Sequence, residues 1–426
     1  MLRRVELGGL KRRQRREEER QWRKEKKRVV PSPSVVFRYL GAFSNPVEEA
    51  KRGMGHAFVP APNKHLESLG RVNQDMLRFT QCRAPQPEAT LDQDATLIFT
   101  TKADALWSYR GEKACQPLTT YWVESDLVVH SEFRDGNVPA GFGNLRVLVE
   151  SLVVLPEGVV KVYFRADTAA YQQDLLRYCA EGKNERFGVI EFAVGVDVTE
   201  EFKRAVAGVE AEEWHPLERV VDGARFKTDQ EWAEVCFVPN WVACGKKEVE
   251  YRFLAIREPL RQPELPGMDS PQLPFPTLDM GETRYKVTGV VTNRNLAGDD
   301  VIRWYRGRCG KCEEVHAAMK NDLAGGQLPS GQFGANAAWW GITVLAYNLN
   351  SLMKRLAMPE GWVQKQLKAI RFGLINVAGR VVTHARHLII RLSQGHPACR
   401  LLVEVRQRIR ALSQGHGQPA MAPGPP

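Results

Sequence analysis

The chain has 426 residues, 43% of them apolar and 26% charged, and carries a formal net charge of +10. Such a length allows two or three domains around a substantial core, and the composition excludes a disordered or fibrous chain. The longest apolar stretch, around Ala337 to Ala346, is too short and too close to Lys354 and Arg355 to span a bilayer, and the Arg-rich start lacks the apolar run of a secretory signal, which leaves a cytoplasmic reading.

In chain order, residues 1–28 read as a basic arm and 29–88 as a helical region, with helix over Ser34–Ala42 and Asn73–Phe79 on either side of a loop at Pro60 and Pro62. Residues 89–195 predict a mixed α/β unit. Strands are expected at Ala89–Phe99, Thr119–Val123, Leu127–Phe133, Val159–Arg165 and Phe187–Val194, with helices at Leu145–Leu155 and Ala170–Glu181. From 196 to 300, short β-like runs (Trp232–Val238, Glu250–Ile256, Tyr285–Thr292) alternate with Pro-rich loops, predicting a β-rich insertion. Residues 301–357 turn helical, ending in the apolar helix Phe333–Leu356. Residues 358–414 read as basic C-terminal helices, with amphipathic segments at Val363–Phe372, Val377–Leu392 and Ala398–Leu412, and 415–426 as a Pro/Gly-rich disordered tail.

Charge is spread unevenly over this plan. Residues 1–28 hold 13 Lys/Arg against 5 Asp/Glu, and residues 352–411 hold 12 against 2, so the rest of the chain carries a net −8. Basic ends around an acidic body suit a polyanion gripped by the ends while central carboxylates take up metal. An arginine-rich helix is as often a solvated face, so neither run decides the matter alone. Of eight cysteines, Cys309 and Cys312 form the one close pair. With His316 as a third ligand and no obvious fourth nearby, a zinc site is disfavoured and the thiols read as reduced.

Three acids stand out as a set. Asp94 lies on a predicted strand, where alternation puts it on the same face as Asp92; a solvent-facing edge gives the same pattern. Asp167 closes the run Val159–Phe164 at a strand's carboxyl end, where α/β sheets place functional groups. Asp is also a favoured helix N-cap there, although Thr168 could cap instead. Glu313 sits in a predicted helix that puts Lys320 within about 20° of it and His316 within about 60°, a pattern also shared by ordinary surface stripes. Carboxylates from two adjacent strand ends and one helix can hold two Mg²⁺ ions around a phosphate, as in-line displacement at a phosphodiester requires.

These residues lie in longer stretches that match a family. The segment Tyr305-Arg306-Gly307-Arg308, then Glu313, His316, Lys320-Asn321-Asp322-Leu323, Leu328-Pro329-Ser330 and Gly334-Ala335-Asn336-Ala337-Ala338-Trp339-Trp340, resembles bacterial insertion-sequence DDE transposases, most of all insertion-sequence family thirteen-eighty. Supporting stretches are Leu91-Asp92-Gln93-Asp94-Ala95-Thr96, His130-Ser131-Glu132-Phe133-Arg134-Asp135-Gly136-Asn137-Val138-Pro139 and Phe164-Arg165-Ala166-Asp167-Thr168. The resemblance implies an α/β fold with an RNase H-like catalytic core in two parts, 89–195 and 301–357, interrupted by the β-rich insertion 196–300 and flanked by helical terminal regions, that at 29–88 binding DNA. It implies Mg²⁺-dependent cut-and-paste transposition, with Mn²⁺ as a substitute, by a homodimer on double-stranded transposon ends and target DNA, in a bacterial cytoplasm at the nucleoid and away from membranes.

Residue by residue, Asp94, Asp167 and Glu313 take the catalytic, metal-binding positions. Tyr305, Arg308 and Lys320 take the DNA-contacting positions of the signature Tyr-x₂-Arg-x₃-Glu-x₆-Lys. Four residues rather than three separate Arg308 from Glu313 here, which on an ideal helix sets them about 140° apart. Either the helix starts after Gly310 with Arg308 reaching in from a turn, or Arg306 replaces it. Trp232 or Trp241 is a candidate to stack on an extruded base, against the commoner fate of core burial. Two other readings stay open: a decayed or co-opted DNA-binding protein, which would bind duplex without metal-dependent nicking, and a stand-alone metal nuclease, whose products would not join to target DNA.

Overall fold

Runs of β-branched and aromatic residues pair across long sequence separations into one sheet. The computed structural model describes residues 12–14, 16, 31–53, 55–221, 223–239, 251–260, 273–384, 387–393 and 395–414. Trp241, most of the basic arm and the tail 415–426 lie outside the described residues.

The strands are β1 (Glu88–Ala95), β2 (Ile98–Phe99), β3 (Ala114–Cys115), β4 (Leu118–Trp122), β5 (Leu127–Glu132), β6 (Lys161–Ala166), β7 (Glu191–Val196), β8 (His215–Val221), β9 (Ala224–Val235), β10 (Arg252–Pro259), β11 (Thr277–Met280), β12 (Thr283–Thr292), β13 (Gly379–His384) and β14 (His387–Leu392). The helices used below are α1 (Lys64–Arg83), α2 (Asn144–Val154), α3 (Gln173–Ala180), α4 (Glu200–Ala207), α5 (Gly298–Arg306), α6 (Lys311–Ala317), α7 (Phe333–Leu352) and α8 (Pro397–Gln414).

Ten strands form a mixed sheet in the order β5-β4-β1-β6-β7-β12-β10-β9-β8, with β11 paired to β12. β1, β6 and β7 run parallel at its centre, and the other neighbours are antiparallel. Central parallel strands are covered on both faces, which accounts for their apolar runs. On one side Leu91, Phe164, Phe192 and Val194 pack with Leu148 and Leu152 of α2, Leu175 and Leu176 of α3 and Phe202 of α4, all buried. On the other, Tyr121 and Val128 meet Val315, Trp340 and Val344.

The β-rich stretch after residue 196 does not stand apart from this sheet but continues it, through β12 on β7. Gly289, opposite Val196 in that pair, is needed there: a Cβ would come within 2.7 Å of the Phe202 ring. At the other edge, Asn348 seals β5. It accepts from Val128 N–H at 2.8 Å and donates to Val128 O at 2.8 Å, while Asn73 donates to Val128 O and Val129 O at 3.1 and 2.9 Å. Two amides thus satisfy backbone groups that an edge strand leaves open.

The C-terminal region differs from the expectation of helices. Within the expected helix Val377–Leu392, Gly379–His384 and His387–Leu392 pair as the antiparallel ribbon β13–β14, with Arg380 directly opposite Arg391. Val381, Val382, Thr383 and Ile389 are β-branched, and in a run this short that preference outweighs a weak helical periodicity. The apolar helix expected to reach Leu356 stops at Leu352 and closes in a π-helical turn, Met353–Ala357. Among the described residues no helix is long and apolar enough to cross a membrane.

Candidate active site

Parallel pairing of β1 and β6 sets Gln93 opposite Ala166, so Asp94 and Asp167 are the next residues along two adjacent strands. Asp167 caps the 3₁₀ turn Thr168–Ala170, its Oδ1 accepting from Ala169 N–H at 3.1 Å. The N-cap role expected of either Asp167 or Thr168 falls to Asp167, which still faces the field of Asp94. Glu313 arrives from the first turn of α6. Gly310, with φ +81°, ends the preceding turn and lets that helix begin at Lys311.

Arg308 lies in the turn between α5 and α6, with Nη2 3.6 Å from Asp94 Oδ1, and their side chains are 10% and 19% exposed. Of the two alternatives left by the extra residue in the spacing, the geometry is that of Arg308 reaching in from a turn. Arg306 has Glu258 as its carboxylate neighbour instead, and burial lowers its guanidinium. Burial, joined by the like charges of Asp167 and Glu313 and opposed by Arg308, pushes the Asp94 carboxyl up from 3.8 to about 7. Burial works against the Arg308 charge, yet Asp94 and its neighbours raise that guanidinium overall, so it stays charged.

Three further groups complete the surroundings. His316 Nδ1 lies 3.6 Å from Asp94 Oδ2, and burial with nearby Lys320 and Arg308 pushes its imidazole down to about 4, so it is neutral at pH 7. Lys320 sits in a π-helical turn, Ala318–Asp322, rather than on a continuing α-helix. Its Nζ donates to Thr96 Oγ1 at 2.9 Å and Leu97 O at 3.4 Å, just beyond Asp94. The Tyr305 hydroxyl sits over the end of β7, where a Cβ on Gly195 would come 2.9 Å from it and 3.0 Å from Thr168 Cγ2.

Asp92 shares the face of Asp94 but has other work. Its carboxylate takes Arg165 Nε at 2.6 Å and Nη2 at 2.8 Å in a buried two-point pair. Arg165 also donates to Trp304 O and lies 5.2 Å over the Trp304 ring, so the pair ties β1 and β6 to α5. Trp232 is partly buried, its ring filling the space where Gly298 lacks a side chain, 2.1 Å from an ideal Cβ. Sequence reasoning missed Asp197, directly after β7, which burial and the charge of Asp167 raise. Its signal was the one that marked Asp167, an acid closing an apolar strand.

Among the described residues, no three His, Cys, Asp or Glu side chains are drawn tightly enough together to grip a metal ion as they stand. Arg308 supplies the positive charge felt by Asp94 and Asp167 instead. The donor chemistry nevertheless fits Mg²⁺ or Mn²⁺: Asp94, Asp167 and Glu313 offer hard oxygen donors, Asp94 is raised by burial and then by the charges of the other two, and a divalent cation would offset those like charges. A groove of about 610 Å³ beside β5, lined by Leu66, Val149, Trp340 and Val344 among others, contains none of the three acids.

Residues 60–414 match the family model for the transposase DDE domain, group 1. The chain belongs to that family. A comparison with curated proteins gives no match. Among solved structures, the piggyBac transposase synaptic complex with hairpin DNA, seen by cryo-EM, is similar with a TM-score of 0.36 and 11% identity over 73% of this chain and 58% of that one. The chain therefore spans under two thirds of that relative, and so slight a likeness carries no argument.

Proposed function

We propose that this transposase has an RNase H-like core of the kind found in insertion-sequence family thirteen-eighty and performs Mg²⁺-dependent cut-and-paste transposition. The observation that carries the reading is that Asp94 and Asp167 end two adjacent parallel strands, where burial first, and then the charges of Asp167 and Glu313, raise the Asp94 carboxyl. In this reading Asp94, Asp167 and Glu313 hold two Mg²⁺ ions, with Mn²⁺ able to substitute. When bound, the metal supplies charge neutralisation and Lewis acidity at the phosphodiester.

The chain's own residues prepare the site for that chemistry. Arg308 turns from Asp94 toward a phosphate oxygen once the carboxylates have another counter-charge. Lys320, braced on Thr96 and Leu97, and Tyr305 position the backbone of the DNA end, contacts that weaken as salt rises. Neutral His316 limits repulsion of an incoming cation. The extension of the sheet from β12 to β8 is the insertion of this core, and the basic C-terminal region grips duplex beyond the site. The partners are transposon ends and target DNA bound by a homodimer at the bacterial nucleoid.

The test is strand cleavage and joining of a terminal-repeat duplex with Mg²⁺. The parent cuts and joins, and Asp167→Asn does neither. Equal cutting by Asp167→Asn would remove the assignment.

A further inference from the structure

Two of the most exposed aromatic rings lie on a loop that follows β1, the strand that carries Asp94. Trp107 is 63% and Tyr109 75% exposed, and no other tryptophan among the described residues is exposed by more than a third. Both lie on the 100–113 loop between β2 and β3, which leaves the sheet from the end of β1 that bears Asp94. An indole left in water forgoes a large burial gain, which makes it informative when a structure holds it there.

The structure does hold it there. Ala114 N–H donates to Leu106 O at 3.1 Å, Ser108 N–H to Glu112 O at 2.8 Å, and Gly111 N–H to Ser108 O at 3.0 Å, with Gly111 at φ +74° making the turn. Trp107 bridges Lys113 through the backbone, and Lys113 Nζ donates to Ala103 O at 2.6 Å. The neighbouring 133–139 loop presses close, since a Cβ on Gly136 would come 2.7 Å from Ala114 O and 2.9 Å from Leu106 O. The base of the loop is where Lys320 bonds Thr96 and Leu97. Cations accompany the rings: Lys102, Lys113, and Arg110, which lies 5.7 Å over the Tyr109 ring.

We propose that the 100–113 loop is a stacking platform for unpaired nucleobases beside the phosphodiester held at Asp94, Asp167 and Glu313, with Trp107 and Tyr109 as the stacking rings. This rests on the transposase reading above and adds the element that handles bases opened at the DNA end. Rigid aromatic faces with adjacent cations suit bases without regard to sequence, because every base presents a π-face.

The experiment compares a blunt duplex with the same duplex carrying a short 3′ overhang that contains 2-aminopurine, bound by the full chain in EDTA. The parent binds the overhang duplex about tenfold or more tighter than the blunt one and quenches the 2-aminopurine, as stacking of a base on an aromatic ring allows. Trp107→Ala with Tyr109→Ala loses that advantage and the quenching while blunt affinity moves by about twofold at most, and Trp107→Phe with Tyr109→Phe retains both. Three results overturn the platform: no overhang preference in the parent that binds blunt duplex, a preference that survives the double alanine change, or equal loss of both duplexes on that change. Failure of the parent to bind either duplex removes the transposase reading and the platform with it.

Discussion

Asp92 and Asp94 stand two residues apart on one strand and one face, yet neutralising them should change stability in opposite directions. Asp94 is held at about 7 against an ordinary 3.8, a difference of about 4 kcal/mol against its charged form. Asp94→Asn removes that burden but leaves Arg308 without its partner at 3.6 Å, so the net gain should be about 1–3 kcal/mol at pH 8. The sign follows from linkage: a carboxyl raised in the folded state is a liability that grows as pH climbs from its unfolded value through its folded one. The gain is therefore full above pH 7, shrinks through pH 6 and 5, and vanishes below about pH 4. Burial raises the Asp92 carboxyl as well, against its Arg165 partner, but Asp92→Asn breaks a buried two-point pair and strands the Arg165 guanidinium, so the net should be a loss, of up to about 3–5 kcal/mol. Denaturant midpoints in EDTA from pH 5 to 8, with slopes compared to exclude a change in unfolded-state compactness, measure both. A loss of stability in Asp94→Asn at pH 8, or a gain that ignores pH, refutes the reasoning.

Other positions give further tests. Gly298→Ala forces a methyl against the Trp232 ring, 2.1 Å from an ideal Cβ, and should cost about 3 kcal/mol in denaturant unfolding. Asn348→Ala strips the partner from Val128 N–H at 2.8 Å, so that amide should exchange with solvent at least about tenfold faster and overall stability fall by about 2 kcal/mol. Lys320→Ala should weaken binding of all DNA duplexes alike and lower the slope of log affinity against log salt by about 1, measured by fluorescence anisotropy.

The placing of Asp94 and Asp167 at two strand ends was legible because its signals are local. An acid closing an apolar strand marks Asp167, and alternation marks the face of Asp94. The spacing from Glu313 to Lys320 pointed to one helix face, yet a π-helical turn carries Lys320 to Thr96 instead. What could not be read depends on register between distant segments. That Asp92 is occupied by Arg165 follows from the pairing of β1 with β6, 73 residues apart. That Arg308 rather than Arg306 reaches Asp94, one of the two alternatives the spacing left open, follows from the left-handed Gly310, which restarts the helix. The ribbon β13–β14 was misread as helix because a short run of β-branched and basic residues fits both periods. The joining of the insertion to the main sheet was hidden for the same reason, since only the partner of β12 decides it.

The central claim is that Asp94, Asp167 and Glu313 act as one divalent-ion site. Mn²⁺ binding followed by electron paramagnetic resonance, with the parent and each of Asp94→Asn, Asp167→Asn and Glu313→Gln folded to the same extent by circular dichroism, asks this directly. Each single change is expected to weaken Mn²⁺ binding by about tenfold or more. Full retention of parental Mn²⁺ binding in any one of the three would contradict it.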